Sequence, residues 1–117
     1  MADLKKALEL ATRVCEYIEK DADGVLWNWL IPNAQKNMME PVHILLKANS
    51  STDEDFPHEG EEFGYVLRGE IVLILGKRKI KVKKGESFYF NSGKIHYVKN
   101  SGNKTAKFIW ISSPPTF

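Results

Sequence analysis

Alternation of apolar and polar residues dominates the chain after its first two dozen positions. Strand-length runs of this kind are separated by turn-forming residues, and in order they are VLWNWLI, PVHILLKA, EFGYVL, EIVLIL, IKVK, ESFYF, IHYVKN and AKFIWI. Short strands divided by turn signals, with no helical pattern between them, predict an all-β sandwich or barrel. We expect its core to include Leu67, Ile71, Leu73, Leu75, Val82, Phe88, Phe90, Ile109 and Ile111.

The residues before Val25 follow a different period. Apolar side chains recur there at steps of three and four, at Leu4, Ala7, Leu8, Ala11, Val14, Cys15 and Ile18. Asp3 is placed to act as the N-cap of a helix, although the segment TRVCEYI is also compatible with a strand. We therefore predict a helical segment and connector over residues 1–24 and a β domain over residues 25–117.

Composition narrows the class of protein. A chain of 117 residues with 43% hydrophobic and 27% charged residues suits one globular domain. Its single cysteine, Cys15, excludes an internal disulfide and a cysteine-rich zinc site. No apolar run approaches the roughly 20 residues that cross a bilayer, and the first residues lack the order of a secretory signal. These features predict a cytoplasmic protein with no membrane partner.

Charge gives little reason to expect direct contact with nucleic acid. The net charge is only +2, although six of the eight residues from Lys77 to Lys84 are basic. In a hairpin, alternation would leave these basic side chains on a solvated face, with Ile80 and Val82 behind them.

His58 and Glu62 are the first candidates for a functional site. In an extended chain, residues two or four apart point to the same side, so both would share a face with Phe56. An imidazole and a carboxylate inside a small barrel are costly unless they are paired or bind a cation. His96, on another strand, is available as a third ligand. A surface loop and a hydrogen-bonded core histidine are the alternative interpretations.

The spacing of these residues resembles that of the cupin superfamily. Its two motifs run G-x5-H-x-H-x3-E-x6-G and G-x5-P-x-G-x2-H-x3-N. Seven positions match in register, namely His58, Glu62, Gly69, Gly85, Gly93, His96 and Asn100, with fifteen residues between the motifs. The resemblance implies a double-stranded β-helix, or jelly-roll barrel, to which the apolar period before Val25 adds a short N-terminal helix. It also implies one divalent metal (zinc, iron, manganese or nickel) held by His58, Glu62 and His96.

Three positions depart from the motifs. Ser50 replaces the first glycine and Asn91 replaces the proline, and both residues are compatible with turns. Phe56 stands where the superfamily has its first metal-binding histidine. Three protein ligands and a water can still hold a metal, but an inward phenylalanine would make the pocket more apolar. The motif is compatible with both a metal-bound and a metal-free site.

A narrower resemblance concerns the segments PHEGEEFGYVLRGEI, SFYFNSGKIHYVKN and FIWISSPPTF. They are similar to the C-terminal cupin domains of bacterial and archaeal regulators that carry an N-terminal helix-turn-helix. The likeness covers roughly residues 25–117 and implies an effector-sensing module. The residues before Val25 are too few for a helix-turn-helix domain of about 55–60 residues. A stand-alone relative and a sensor without its DNA-binding part are both compatible with this.

We accordingly expect a pocket for a small polar or anionic metabolite in a homodimer. Its predicted lining is Phe56, His58, Glu62, Tyr65, His96 and Tyr97. One alternative is a metal-dependent enzyme of the dioxygenase or isomerase type, because two histidines and one carboxylate suit ferrous iron. Another is a structural role through dimerisation of the strand that carries Trp27 and Trp29. No catalytic residue is assigned, since no separate general base is evident.

Overall fold

Two antiparallel sheets that share one core make up the described part of the chain, which is residues 19–31 and 34–117 of a computed structural model. The nine strands are β1 (Glu19–Ala22), β2 (Val25–Trp29), β3 (Glu40–Leu46), β4 (Glu61–Arg68), β5 (Glu70–Leu75), β6 (Arg78–Lys83), β7 (Ser87–Asn91), β8 (His96–Lys99) and β9 (Ala106–Ser113). A short 3-10 helix, Ala34–Lys36, precedes β3. The larger sheet has the order β1-β2-β3-β9-β4-β7 and the smaller one β6-β5-β8. The all-β prediction is confirmed.

The large sheet begins before Val25. β1 pairs with β2 through a two-residue turn, Asp23-Gly24, in which both residues have positive φ (54° and 82°). Asp-Gly is a favoured sequence for such hairpin turns because both positions need a left-handed backbone. Residues 19–22, expected in a connector, therefore form an edge strand. The helix predicted within residues 1–24 falls mainly on residues 1–18, which lie outside the described residues. Within residues 19–31 and 34–117, no helix is long and apolar enough to span a membrane.

The core lies between the sheets and is built from alternate strand positions. Its buried members are Val25, Val42, Ile44, Leu46, Val66, Ile71, Leu73, Val82, Phe88, Phe90, Val98, Ala106, Phe108 and Trp110. Five of the predicted core residues, Ile71, Leu73, Val82, Phe88 and Phe90, are among them, and Leu75 packs at the periphery. The predicted alternation thus identifies five of the fourteen buried core residues.

Three predicted core positions are wrong. In β9 the buried residues are Ala106, Phe108 and Trp110, so Ile109 and Ile111 lie on the opposite face of the sheet. In β4 the buried residues are Glu62, Gly64 and Val66, and Leu67, next to Val66, is exposed. Both strands carry apolar side chains on both faces, so periodicity alone does not decide which face is covered by the second sheet.

Two glycines shape the strand that leads away from the site. Gly64 faces inward on β4, and a Cβ there would overlap the ring of Phe88. Gly69, between β4 and β5, has a φ of 73°, a conformation that other residues rarely adopt. The glycine shared with the cupin motif is therefore required by the turn that transfers the chain from the large sheet to the small one.

The basic run forms a solvated strand face. Along β6, Lys79, Lys81 and Lys83 are exposed, Val82 is buried, and Ile80 is partly buried against the core. This arrangement agrees with the predicted hairpin.

Candidate metal centre

The loop between β3 and β4 is hydrogen-bonded along β8, and these bonds position half of the site. The backbone amide of Asp55 donates to the carbonyl of His96 at 2.8 Å, and the amide of His96 donates back to Asp55 at 3.1 Å. The amide of His58 donates to the carbonyl of Ser92 at 2.8 Å. The loop thereby places Asp55 and His58 beside the first residue of β8, while Glu62 projects inward from β4.

Four side chains converge here. Nε2 of His96 lies 2.8 Å from Oε2 of Glu62 and 3.1 Å from Oδ2 of Asp55. Nε2 of His58 lies 3.3 Å from each of the same two oxygens. One ligand atom from each residue falls within 4.8 Å of all the others. The cluster therefore offers two imidazole nitrogens and two carboxylate oxygens to a single point.

Backbone carbonyls determine which imidazole nitrogens face the centre of the cluster. Nδ1 of His96 lies 2.7 Å from the carbonyl oxygen of Lys94, and Nδ1 of His58 lies 3.1 Å from that of Glu59. A carbonyl oxygen only accepts, so each Nδ1 carries the proton and donates it. In the neutral imidazole this leaves a lone pair on each Nε2, directed at the carboxylates. Fixing the tautomer through the outer nitrogen is typical of metal-binding histidines.

Glu62 is held from one side only. Its side chain is 1% exposed, and Oε2 accepts a 2.7 Å hydrogen bond from the hydroxyl of Ser92, which is also buried. Oε1 of Glu62 and Nε2 of His58 are buried without a hydrogen-bond partner. Unpaired buried polar atoms are expensive. Their presence at the same point indicates that the cluster is built for a further partner.

Charge in the cluster is unbalanced. Burial by itself would lower the pKa of His96, but its hydrogen bond to Glu62, the Lys94 carbonyl and the negative charges of Glu62 and Asp55 together raise that pKa above 6.5. With both imidazoles neutral, two carboxylates lie within a few ångströms of one another with no positive charge between them. A proton on His96 offsets part of this repulsion, and a divalent cation would offset all of it.

The donor set fits a divalent transition metal. Imidazole nitrogen and carboxylate oxygen suit iron, manganese, zinc and nickel, and both histidines already have the required tautomer. His58, Glu62, His96 and Asp55 are the residues that would hold it. When bound, such an ion would act as a Lewis acid that polarises an oxygen ligand.

The structure brings together the three residues that the motif predicted, His58, Glu62 and His96. It does not bring the predicted aromatic lining to them. Phe56 is 75% exposed, because β4 begins only at Glu61 and the preceding loop does not continue the strand alternation. The expected inward phenylalanine is wrong.

Two tyrosines that were predicted to line the pocket also lie away from the cluster. Tyr65 is 40% exposed and pairs with Ile109 on the outer face of the large sheet. Tyr97 lies between the buried residues His96 and Val98, so its side chain points away from the cluster. Adjacent strand residues face opposite sides, and the residue next to a ligand therefore cannot share its pocket.

Asp55 and Ser92 are the functional residues that the sequence did not reveal. Asp55 stands one position before the expected histidine and contributes the fourth ligand atom of the cluster, although SSTDED has the composition of an ordinary acidic loop. Ser92 directly follows Asn91, the residue that replaces the proline of the second motif, and its hydroxyl orients the carboxylate of Glu62. The sequence signal for Asp55 was an acidic residue directly before Phe56, the position of the missing motif histidine. No such signal pointed to Ser92.

His43, the remaining histidine, is remote from the cluster. It lies between the inward residues Val42 and Ile44 of β3, so it faces the outer side of the sheet. Burial and the nearby charge of Lys107 lower its pKa. His43 therefore serves as a matched control for the site histidines.

Trp27 and Trp29 belong to the inner side of the large sheet. Their rings stack at 5.9 Å, and Trp27 also approaches Trp110 at 6.4 Å. Nε1 of Trp29 donates to the buried carboxylate of Glu40 at 3.1 Å. Both rings pack against the core, which agrees with a core role for this strand.

Known proteins with similar sequences and folds complete the description. The chain is 30% identical over 103 residues to the HTH-type transcriptional regulator PuuR of Escherichia coli, covering 87% of this chain and 55% of the regulator. It is 29% identical over 104 residues to the uncharacterized protein MJ1618 of Methanocaldococcus jannaschii, covering 88% of this chain and 82% of that protein. The chain thus spans about half the length of the regulator that it matches.

Solved structures give the same result for the fold. The Cupin_2 domain of an XRE family transcriptional regulator from Enterobacter cloacae superposes with a TM-score of 0.70 at 20% identity, covering 80% of this chain and 99% of that one. A family model described as "Cupin domain" (Cupin_2) matches residues 42–112, the segment from β3 to β9 that contains all four clustered side chains. The chain belongs to the Cupin_2 family of cupin domains.

Proposed function

We propose that this cupin domain senses a small-molecule effector at a divalent metal held by His58, Glu62, His96 and Asp55. The observation that carries the proposal is the convergence of two Nε2 lone pairs on two carboxylate oxygens, with both Nδ1 atoms engaged by backbone carbonyls. Such a set satisfies a divalent cation and leaves coordination positions for an oxygen ligand. The similarity to a transcriptional regulator supports a sensing role.

Sensing requires that the ligand stabilise one state of the protein over another. The site is suited to this because its ligands come from both sheets. Glu62 lies on β4 of the large sheet, and His96 lies on β8 of the small one. A ligand that changes the coordination would therefore alter the contact between the sheets.

The test is a metal titration of protein first stripped with a chelator. We expect Mn²⁺, Fe²⁺, Ni²⁺ or Zn²⁺ to bind at one ion per chain by isothermal titration calorimetry and elemental analysis. His58→Ala removes a partly exposed ligand and should weaken binding by at least about tenfold, since changes to groups that only support metal ligands already cost roughly that much. His43→Ala, the matched control, should leave the affinity unchanged. Equal affinity of both variants would refute the site.

A metal-dependent enzyme of the dioxygenase or isomerase type is the second candidate. The observation that favours it is the pair of imidazoles with the Glu62 carboxylate, a set that suits ferrous iron and oxygen. Asp55 as a fourth ligand weighs against it, because it leaves fewer positions for substrate and oxygen together. Oxygen uptake by the iron-loaded protein with a candidate substrate, abolished in His58→Ala, would favour the enzyme.

We also propose that the domain acts as a homodimer. Four apolar side chains on the outer face of the large sheet support this, since Phe63, Tyr65, Leu67 and Tyr89 are each at least 38% exposed. Contiguous exposed apolar surface commonly marks an interface. Native mass spectrometry of the purified chain reports the number of subunits and any retained metal in one measurement.

A further inference from the structure

The outward side of the large sheet presents rows of uncharged side chains to solvent. The strand register aligns them across the sheet, with His43, Ile109 and Tyr65 in one row and Ile111, Phe63 and Tyr89 in the next. We call these two rows the outer face. All six residues are exposed or partly exposed, and five of them are aliphatic or aromatic. Apolar surface of this kind commonly marks an interface.

Charged side chains lie at opposite ends of the outer face. Glu61 pairs with Ser113 at one end of β9, and Arg68 pairs with Lys107 at the other. Glu61 and Arg68 are exposed, and Lys107 is partly exposed. The two pairs are six residues apart along β9, which is roughly 20 Å in a strand. A face that is acidic at one end and basic at the other is complementary to a second copy of itself turned end for end.

His43 is the titratable residue within the outer face. It lies between Asn28 on β2 and Ile109 on β9, and its outward neighbours on β3 itself are apolar. Among the outward residues of β2, β3 and β9, only Lys107 is charged. Burial and the charge of Lys107 lower the pKa of His43, so its imidazole is neutral at physiological pH. No carboxylate of these three strands faces His43 to stabilise a protonated ring.

From these features we infer that the outer face binds a second copy of this chain and that protonation of His43 opposes this binding. A two-fold axis between the two large sheets, running across their strands, places Glu61 of each copy over the Lys107 end of the other. Sheets stacked face to face lie about 10 Å apart, which is close enough for these long side chains to meet. The inference rests on the proposed homodimer and adds the orientation of the two copies and their response to pH.

The response to pH follows from solvation. In the single chain His43 is partly exposed, so water can hydrate a protonated imidazole. Between two sheets that water is excluded, and a buried charge without a partner is costly. The neutral imidazole therefore fits the assembled dimer and the charged imidazole does not. Because each dimer covers two copies of His43, the separated subunits bind more protons than the dimer, and acid favours separation.

Sedimentation velocity of the purified chain at about pH 8 and about pH 5 tests the response to pH. We expect the dissociation constant of the dimer to rise by about tenfold or more at the lower pH. His43→Gln removes the titrating ring and stays neutral, so this variant should dimerise equally well at both values. It retains His58 and His96, whose protonation is therefore common to both proteins. An equal response of parent and variant to pH would overturn the role of His43.

Exchange of the two charges, measured at the higher pH, tests the orientation. Glu61→Lys and Lys107→Glu each place like charges opposite one another, and each should weaken the dimer by about three- to tenfold, because two exposed charge pairs change together. The double variant restores opposite charges with the ends reversed, so its dissociation constant should return to within about threefold of the parent value. Lys79→Glu, on the exposed side of β6 in the small sheet, is the control and should have no effect. A double variant as weak as the two single changes combined would overturn the orientation.

These measurements also separate the inference from the proposed function. A dimer that responds neither to acid nor to the charge exchange would keep the proposed homodimer and overturn the inference. A monomer at the higher pH would mean that something other than a second copy covers the outer face, and it would overturn the inference and the homodimer together. The metal centre is tested independently of both, because Mn²⁺ titration of His43→Gln should give the parent affinity.

Discussion

The replacement of a histidine by an aspartate one residue earlier is the most distinctive feature of this site. Phe56 occupies the motif position but is turned to solvent, and Asp55 reaches the cluster instead. The backbone pairing of Asp55 with His96 explains the exchange, because it directs the side chain of Asp55 toward Nε2 of His96. A carboxylate in place of an imidazole adds a negative charge, which favours divalent ions with a preference for oxygen ligands.

This exchange leads to a prediction opposite to the one that the cupin motif alone would make. Asp55→Asn should weaken metal binding by about tenfold or more, because it removes a charged ligand atom. Phe56→His, which restores the motif residue, should not strengthen binding, since that position faces solvent. Both are measured by calorimetric titration with Mn²⁺, with Glu59→Gln as an exposed acidic control. Tighter binding by Phe56→His would show that the loop can rearrange to place residue 56 in the site.

The raised pKa of His96 predicts how metal binding depends on pH. A metal requires the unprotonated Nε2, so a proton on His96 competes with it. As the pH falls through the raised pKa, the affinity should decrease by about tenfold per pH unit for each proton displaced. Titrations at about pH 8 and about pH 6 measure this. An affinity independent of pH would contradict metal coordination by Nε2 of His96.

Without metal, the same shift affects stability in the opposite sense. A histidine with a raised pKa contributes stability below 6.5, its ordinary value, and loses it as the pH rises through the raised pKa. His43 has a lowered pKa, so its contribution is present above 6.5 and is lost as the pH falls. Stability measurements on the metal-free protein therefore need His43→Ala for comparison.

At the scale of elements, the site depends on how β4 and the loop before it are held. The loop follows β8 through backbone hydrogen bonds, and Ser50, Thr52 and Asp55 each take part in them. Asn100, the last residue of the second cupin motif, holds the far end by donating to the carbonyls of Leu46 and Lys104 and accepting from Gly102. The motif asparagine thus supports the fold and does not touch the cluster.

Packing between β4 and β7 gives a testable consequence. Gly64→Ala should lower the free energy of unfolding by about 1–3 kcal/mol, because the added methyl overlaps the Phe88 ring in a closed core. Gly93→Ala is the matched control, since a Cβ there meets nothing within 4 Å. Urea denaturation of both variants measures the difference. Equal stability would mean that the Phe88 ring moves aside without cost.

For the whole molecule, the cluster links the two sheets. Glu62 and His96 belong to different sheets, so a bound metal resists their separation on unfolding. At about one hundred times its dissociation constant, a metal should stabilise the fold by about 2.7 kcal/mol. This corresponds to an increase in melting temperature on the order of 10 °C for a domain of this size.

Thermal denaturation with and without Mn²⁺ measures this increase. His58→Ala should lose most of it, and His43→Ala should keep it, because only the first residue lies in the cluster. Metal binding that leaves the melting temperature of the parent protein unchanged would indicate equal binding to the unfolded chain and would remove the cross-linking role.

Much of the architecture was predictable from local pattern. The strands from Val25 onward and the pairing of His58, Glu62 and His96 follow from alternation and motif spacing. The β1–β2 hairpin was missed because the Asp23-Gly24 signal lies next to an apparently helical pattern. Ile109 and Ile111 were misplaced because β9 is apolar on both faces.

The sequence alone determines the strand periodicity and the turns, since these depend on local chemistry, and its resemblance to the cupin motifs implies that His58, Glu62 and His96 approach one another. Only the tertiary structure decides that Asp55 is the fourth member and that Phe56, Tyr65 and Tyr97 are not part of the site. That outcome depends on backbone hydrogen bonds between the loop and β8, segments that are distant along the chain. No local pattern records which long-range pairing will form, because its free energy depends on the packing of the complete barrel.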